Sequence, residues 1–149
     1  MAQIHFHIAT DLSPDLVLAA LTDFGPLRAQ VWPNIDDKHF QVHGQGPGWA
    51  DVTEGNSVAG GVWEREKYTW DATAGTVAVE TTDSNTWAAG SRWDYKLSPS
   101  SNGGTEIEVT VERRGKGWKG RLIELGLVAV GAGTLRSQME QALARSATV

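Results

Sequence analysis

The sequence predicts an α+β fold in which about seven antiparallel strands form a sheet packed against one long C-terminal helix. Seven short segments between residues 3 and 114 have strand-like patterns, and residues that favour turns separate them. Most of the connections between these segments are short, which favours antiparallel neighbours. From about Gly117 the apolar residues recur every three or four positions, which is the period of an α-helix.

One strand and two short helices precede the rest of the sheet. The segment QIHFHIAT alternates strictly, with its isoleucines and phenylalanine on one face and its histidines on the other. Next along the chain, Ser13 is a suitable helix N-cap, and Pro14 suits the first helical position. Gly25 ends this helix, and the segment PLRAQVW forms a second short helix that ends before the next proline.

Six further strands follow, and the last two predict a hairpin with a defined register. Their segments read KHFQVHG, WADVTEG, VWEREKYTW, TVAVETTD, SRWDYKL and GTEIEVTVERR. The predicted register pairs Leu97 with Ile107, Tyr95 with Val109, Trp93 with Val111, Lys96 with Glu108, and Arg92 with Glu112. Because one face is then apolar and the other carries opposite charges, a slip of one residue would disrupt both faces.

The C-terminal pattern predicts one helix from about Gly117 to Arg145. A single apolar stripe follows it, formed by Trp118, Leu122, Leu125, Ala129, Ala132, Leu135, Met139 and Leu143. A helix of roughly 30 residues is about 45 Å long, so the stripe needs a long partner, and the apolar face of the sheet is the candidate. Three glycines in the middle of this helix suggest close packing on the sheet or room for a ligand.

Composition excludes several classes of function. The net charge of −5 disfavours nucleic acid as a partner, since such binding needs a basic face, and the absence of cysteine excludes disulfides and thiolate sites. The N-terminus lacks the pattern of a signal peptide, and no apolar run is long enough to span a bilayer. We therefore expect one domain over residues 1–149, cytoplasmic, and a monomer or weak dimer.

Two stretches carry a resemblance to a known superfamily. They are SPDLVLAALTDFGPLRAQVWPN after the first strand and SRWDYKLSPSSNGGTEIEVTVERRGKGWKGRLIELG near the end. With the element order, they make the whole chain resemble START-like domains, polyketide cyclases and dehydrases, and the major birch pollen allergen, with the small bacterial polyketide cyclase/dehydrase branch closest. The resemblance implies a helix-grip fold, in which a curved sheet surrounds the long helix and leaves a cavity for an apolar or aromatic ligand. It implies no particular set of catalytic residues.

The strand VWEREKYTW contributes the candidate acid–base groups. One of its faces carries Glu64, Glu66, Tyr68 and Trp70, and we take this more apolar face as the inward one. A buried carboxyl group must be paired, or neutral with a raised pKa, so Glu66 and Tyr68 are candidate catalytic residues. A twist or bulge that leaves the glutamates near solvent is the alternative. The predicted ligand-binding residues are Val52, Glu64, Glu66, Tyr68, Trp70, Val79, Trp93, Tyr95 and Val109 on the sheet, and Leu122, Leu125 and Ala129 on the helix.

The four histidines do not predict a metal site. His5 and His7 share one strand face, and His39 and His43 share another, but alternation places all four outward, with no carboxylate spaced to join them. We therefore expect no metal and no cofactor, because a catalytic metal needs a protected site. The basic run from Arg113 to Arg121 is expected to be a solvated loop before the helix, with anion binding at the helix start as the alternative.

Three functions remain open on these observations. The leading hypothesis is binding of a small apolar ligand, aromatic, polyketide-like or lipid-like, between the sheet and the C-terminal helix. The second is an enzyme of the polyketide cyclase or dehydratase type, in which Glu66 or Tyr68 moves a proton while the cavity holds the substrate. The third is a protein-interaction module whose cavity is filled by side chains.

Overall fold

The computed structural model describes residues 1–148, so Val149 of the predicted domain lies outside the described residues. The elements in chain order are β1 (Ala2–Thr10), α1 (Pro14–Thr22), α2 (Arg28–Val31), β2 (Gln41–Gly46), β3 (Trp49–Asn56), β4 (Val62–Asp71), β5 (Thr76–Ser84), β6 (Arg92–Pro99), β7 (Thr105–Arg113) and α3 (Gly117–Ser146). The seven strands form one antiparallel sheet in the order β1-β7-β6-β5-β4-β3-β2. The predicted α+β class and helix-grip order are confirmed.

Local signals place the beginning of α1 as expected. The Ser13 side chain accepts a hydrogen bond from the Leu16 N–H at 3.4 Å, and Pro14 occupies the first helical position. Val17 and Leu21 on this helix are almost fully buried in the core beneath it. The two short helices therefore cover one end of the apolar sheet face, and α2 brings its own side chains towards the interior.

The β6–β7 hairpin has the predicted register at all five predicted pairs. The charged side chains opposed in that register nevertheless bond elsewhere, since Lys96 donates to the Ala74 carbonyl at 2.7 Å, and Arg92 forms an ion pair with Asp94. The charge pattern therefore identified the correct register, although the cross-strand ion pairs that it suggested are not formed.

The helix α3 is not one continuous rod along the sheet. Gly131 has φ 57° and ψ −148°, a conformation outside the helical region that separates the helix into two halves. The first half presents its apolar stripe to solvent, with Leu122 60% and Leu125 65% exposed and Ala129 also exposed. The prediction that the whole stripe lies on the sheet is therefore wrong for the first half, because the break at Gly131 changes the direction of the chain.

The second half of α3 packs on the rest of the protein as predicted. Met139 and Leu143 are almost fully buried, and Leu135 is partly buried against the same core. This core also contains Phe6 of β1 and Val109 of β7. Within residues 1–148, no helix combines the length and the apolar character that crossing a membrane requires.

Candidate functional site

A pocket lies where the inward face of the sheet meets α2 and the second half of α3. Its volume is about 70 Å³, and its lining includes the exposed Asn34 and the half-buried Glu64 and Trp93. Its lining comprises Leu21, Arg28, Trp32, Asn34, Ile35, Glu54, Glu64, Glu66, Tyr68, Val79, Trp93, Tyr95, Arg113, Leu135, Gln138 and Met139. Two arginines and three glutamates line this small pocket. The pocket lining is therefore more polar than the mainly apolar lining that the sequence predicted.

The first charged group in the pocket is centred on Arg28. Its Nε donates to Glu54 at 2.8 Å, and its second terminal nitrogen donates to the Tyr68 hydroxyl at 3.0 Å. The Tyr68 hydroxyl in turn donates to the other Glu54 oxygen at 2.9 Å, which closes a triangle. The remaining guanidinium nitrogen bonds carbonyls at the end of α1, and the ring of Phe24 lies 4.7 Å from the guanidinium carbon. This network holds α1, α2, β3 and β4 together.

The second charged group is centred on Arg113 at the end of β7. Both terminal guanidinium nitrogens donate to the Glu64 carboxylate, and the Thr81 hydroxyl also donates to Glu64 at 3.1 Å. The rings of Trp87 and Trp93 lie 5.0 and 5.3 Å from the guanidinium carbon, within the range of cation–π attraction. This bidentate contact gives Glu64 a cation of its own.

Glu66 lies between these two groups and has no arginine of its own within residues 1–148, where the arginine ion pairs at the pocket go to Glu54 and Glu64. Burial raises its pKa well above the ordinary value of 4.5, and the charges of Glu64 and Glu54 raise it further. The Glu64 side chain, as a hydrogen-bonding neighbour, also raises the pKa of Glu66. With two arginines for three carboxyl groups, Glu66 is the one left without a partner cation, and its raised pKa favours the protonated form.

Tyr68 and Tyr95 have different roles in the pocket lining. Burial raises the pKa of both above the ordinary phenol value. The Tyr68 proton is engaged by Glu54 while its oxygen accepts from Arg28, so this hydroxyl is a structural link. Tyr95 stacks on Trp93, with ring centroids 6.3 Å apart and planes at 13°, and the two rings form the aromatic wall of the pocket.

The structure brings together six of the twelve predicted binding residues at this pocket: Glu64, Glu66, Tyr68, Val79, Trp93 and Tyr95. The face of β4 that we took as inward is the inward one, although the ladder between β4 and β5 has an irregularity beside Glu66. Three other predicted residues lie outside the lining, with Val52 and Val109 fully buried in the core and Trp70 beside Phe24.

The three predicted helix residues Leu122, Leu125 and Ala129 do not form a pocket wall. They lie on the solvent-facing first half of α3, before the break at Gly131. Their place is taken by Leu135, Gln138 and Met139 on the second half. Only the second half of α3, after the break at Gly131, packs against the sheet. The helix wall of the pocket therefore comes from that half alone.

Sequence reasoning missed Arg28, Glu54 and Arg113, although each had a signal. Glu54 continues the inward alternation of β3 two residues after Val52. Arg113 continues the inward alternation of β7, so its assignment to a solvated basic loop is wrong. Arg28 precedes Val31 by three residues, which puts both on one face of α2. Each of these charged residues lies at a position where the alternation or helical period of its element predicts an inward side chain. That period was the signal that could have identified them.

His5, His7 and His43 face outward from their strands, as predicted. His39 instead lies in a short turn before β2, half-buried, with its Nδ1 2.6 Å from Asp36. The prediction that no carboxylate joins the histidines is wrong. Glu108 on β7 lies within reach of both His5 and His7 on β1. The two strands pair directly in the sheet, and His7 is opposite Glu108 in their register. A separation of about 100 residues along the chain concealed this cluster.

Neither protein-family models nor curated proteins match this chain. Solved structures do. The Zhui aromatase/cyclase from Streptomyces sp. R1128 has a TM-score of 0.80 at 11% identity, over 98% of this chain and 93% of that one. A START superfamily protein from Mycobacterium smegmatis has a TM-score of 0.65 at 13% identity, over 93% and 97%. Norcoclaurine synthase from Thalictrum flavum, in complex with dopamine and hydroxybenzaldehyde, has a TM-score of 0.69 at 13% identity, over 99% and 86%.

At these identities the similarity establishes the fold. The chain has the START/polyketide cyclase helix-grip fold, an architecture shared by cyclases and ligand-binding proteins. The site adds a buried carboxyl group with a raised pKa beside one that is paired with an arginine, and both line a pocket with an aromatic wall. Chemically, such a group can donate a hydrogen bond or a proton to an oxygen atom of a bound molecule.

Proposed function

We propose that this protein binds a small aromatic molecule bearing a carbonyl or hydroxyl oxygen, in the pocket between the sheet and the second half of α3. The observation that carries the proposal is the buried carboxyl group of Glu66, which has no arginine partner, has a raised pKa and lines the same pocket as the rings of Trp93 and Tyr95. The rings supply contact area for an aromatic face, and the Glu66 proton supplies one directed hydrogen bond.

The charged lining favours such a ligand over a purely hydrocarbon or lipid-like one. A hydrocarbon chain in this pocket would lie against the Arg28–Glu54 and Arg113–Glu64 pairs and offer them no hydrogen bonds. An oxygen-bearing ring can instead replace the Glu66–Glu64 contact with an equivalent one. An aromatic, polyketide-like ligand therefore fits the pocket chemistry better than a lipid.

The size of the pocket limits what enters without movement. About 70 Å³ is less than half of the roughly 150 Å³ of an engineered apolar cavity that holds one benzene. A substituted ring therefore needs the wall formed by Leu135 and Met139 to move away from the sheet. The proposal keeps the expectations of a cytoplasmic monomer or weak dimer that binds no nucleic acid, which the acidic net charge supports.

The test is isothermal titration calorimetry with 4-hydroxybenzaldehyde as the probe. Wild type and Glu66→Gln should bind it with similar affinity, because the glutamine amide retains a donor. Glu66→Leu should bind roughly three- to tenfold more weakly, which corresponds to the loss of one hydrogen bond. The matched control is Glu106→Leu, which removes a carboxyl group from the exposed face of β7.

Absence of saturable binding in the wild type would overturn the proposal, as would equal weakening by the Glu66 and Glu106 leucine variants. Native mass spectrometry of the purified protein adds an independent measurement. A bound small molecule that is retained by wild type and lost from Glu66→Leu would identify the ligand directly.

A second candidate function, an acid–base enzyme of the dehydratase type, is favoured by the same proton. Glu66 would protonate the hydroxyl oxygen of a β-hydroxy ketone, which leaves as water, and the resulting carboxylate would take the α-proton. Glu66 would thus be protonated again at the end of the step, and an enone and water would be released. The Tyr68 hydroxyl is already hydrogen-bonded to Arg28 and Glu54, so Tyr68 is not the proton donor in this reaction.

The enzyme hypothesis is tested with 4-hydroxy-4-phenylbutan-2-one, whose dehydration creates a conjugated enone that absorbs in the ultraviolet. Wild type should accelerate the reaction, and Glu66→Gln should bind the compound without accelerating it. Equal rates for wild type, Glu66→Gln and buffer would reject catalysis while leaving the binding proposal intact.

A further inference from the structure

The outer face of the sheet carries a cluster of two imidazoles and one carboxylate, on the side opposite the pocket. His5 and His7 alternate along β1, and Glu108 projects from the paired strand β7. One ligand atom from each of the three side chains lies within 4.8 Å of the others. The inward residues of the same strands, Phe6 and Val109, are core residues, so this cluster is separate from the pocket.

The distances suit a small transition cation. Nε2 of His5 is 3.3 Å and Nε2 of His7 is 3.8 Å from the same Glu108 oxygen. A tetrahedral Zn²⁺ ion with bonds of about 2.1 Å keeps neighbouring ligand atoms roughly 3.4 Å apart. An ion can therefore be placed among the three groups with only small side-chain rotations, and its fourth position faces water.

Two neighbouring contacts prepare the cluster for an ion. Nδ1 of His5 lies 3.1 Å from the Thr110 hydroxyl, which orients the ring so that Nε2 faces Glu108. This is the type of second hydrogen bond that metal-ligating histidines usually have. Lys96, the cation opposite Glu108 in the β6–β7 register, donates instead to the Ala74 carbonyl at 2.7 Å. The carboxylate therefore remains directed to the histidines.

The electrostatic setting also favours a cation. Glu106 and Glu112 project from β7 on the same outward face as Glu108, and the net charge of the chain is −5. The side chains of His5, His7 and Glu108 are 49%, 62% and 49% exposed, so an ion enters without any opening of the fold.

We propose that His5, His7 and Glu108 form a binding site for a divalent transition cation of the Zn²⁺ type, which joins β1 to β7 on the outer face of the sheet. Imidazole and carboxylate ligands suit Zn²⁺ and its first-row neighbours, whereas Mg²⁺ prefers oxygen ligands alone. Because β1 is at the edge of the sheet, the ion holds an edge strand in place. An ion that binds the folded chain preferentially also raises its unfolding temperature.

The test is equilibrium dialysis of the purified full chain against micromolar Zn²⁺ at neutral pH. Wild type should bind close to one ion per chain, and His5→Gln and His7→Gln should each weaken binding at least about tenfold. The matched control is His43→Gln, which removes a histidine from another exposed strand and should leave Zn²⁺ binding unchanged. Thr110→Val should give a smaller loss, because it removes only the contact that orients His5.

A second measurement uses stability in place of binding. The unfolding temperature should rise with added Zn²⁺ in wild type and in His43→Gln, and should not change in His7→Gln. Equal Zn²⁺ binding by wild type and His7→Gln would overturn the site, as would equal weakening by His43→Gln or an equal response of wild type to Mg²⁺. All the substituted histidines are exposed, so the variants should fold normally.

Discussion

The buried carboxyl group of Glu66 should make the free energy of unfolding fall as the pH rises. Its pKa in the folded protein is raised above the unfolded value of 4.5, so above that pH the folded protein holds a proton that the unfolded chain releases. The stability that comes from this proton is fully present below about pH 4.5 and is lost as the pH rises through the folded pKa. The substitution Glu66→Gln removes the titration and retains the shape and the donor.

The magnitude follows from linkage. One group contributes a slope of at most about 1.4 kcal/mol per pH unit, so wild type should lose up to about 2.7 kcal/mol relative to Glu66→Gln between about pH 5 and about pH 7. Urea denaturation of both proteins across this range measures the difference, in which the other titrating groups cancel. Glu106→Gln on the exposed face serves as the control and should run parallel to wild type.

A difference between wild type and Glu66→Gln that does not change with pH would refute the reasoning. It would mean that Glu66 is ionised in the folded protein at neutral pH, and that Glu64 and Glu54 do not force a proton onto it. A difference that changes in the opposite direction would mean that a cation stabilises the Glu66 carboxylate.

Five further substitutions test the packing. Gly131→Ala should destabilise the protein by about 1–3 kcal/mol because φ is positive there, whereas Gly126→Ala in the helical part of α3 should stabilise it by up to about 1 kcal/mol, both measured by urea denaturation. Ala129→Phe should change the free energy of unfolding by less than about 0.5 kcal/mol because the site is exposed. Met139→Ala should lower it by about 2–5 kcal/mol because the side chain is buried. Similar losses at both sites would contradict the placement of α3. Arg28→Met should cost about 3–5 kcal/mol in thermal or chemical unfolding because it leaves a buried carboxylate without its cation, and a neutral result would mean that the carboxylate is protonated or hydrated.

Patterns within single elements predicted much of the fold. The β6–β7 register followed from the sequence because alternation assigns each side chain to a face, and only one register matched both faces. The same period placed Glu66 and Tyr68 on the inward face of β4. The beginning of α1 at Ser13 followed from capping chemistry, which involves only a few neighbouring residues. These features depend on local geometry, which the order of residues specifies directly.

Only the tertiary structure decided which charged groups meet. Arg28 and Glu54 are 26 residues apart, and Glu64 and Arg113 are 49 apart, so no spacing within one element could pair them. The raised pKa of Glu66 also depends on these two pairs, because both arginines are bound by other glutamates.

The break in α3 also lay beyond the sequence pattern. Gly126, Gly131 and Gly133 are equivalent as interruptions of a helical period, and only Gly131 takes the left-handed conformation. Which glycine bends is decided by where the second half of the helix must lie to bury Met139 and Leu143 against the sheet. The sequence by itself determined the elements and their faces because these depend on neighbouring residues. The direction of the helix and the composition of the pocket were decided by packing between residues that are distant along the chain.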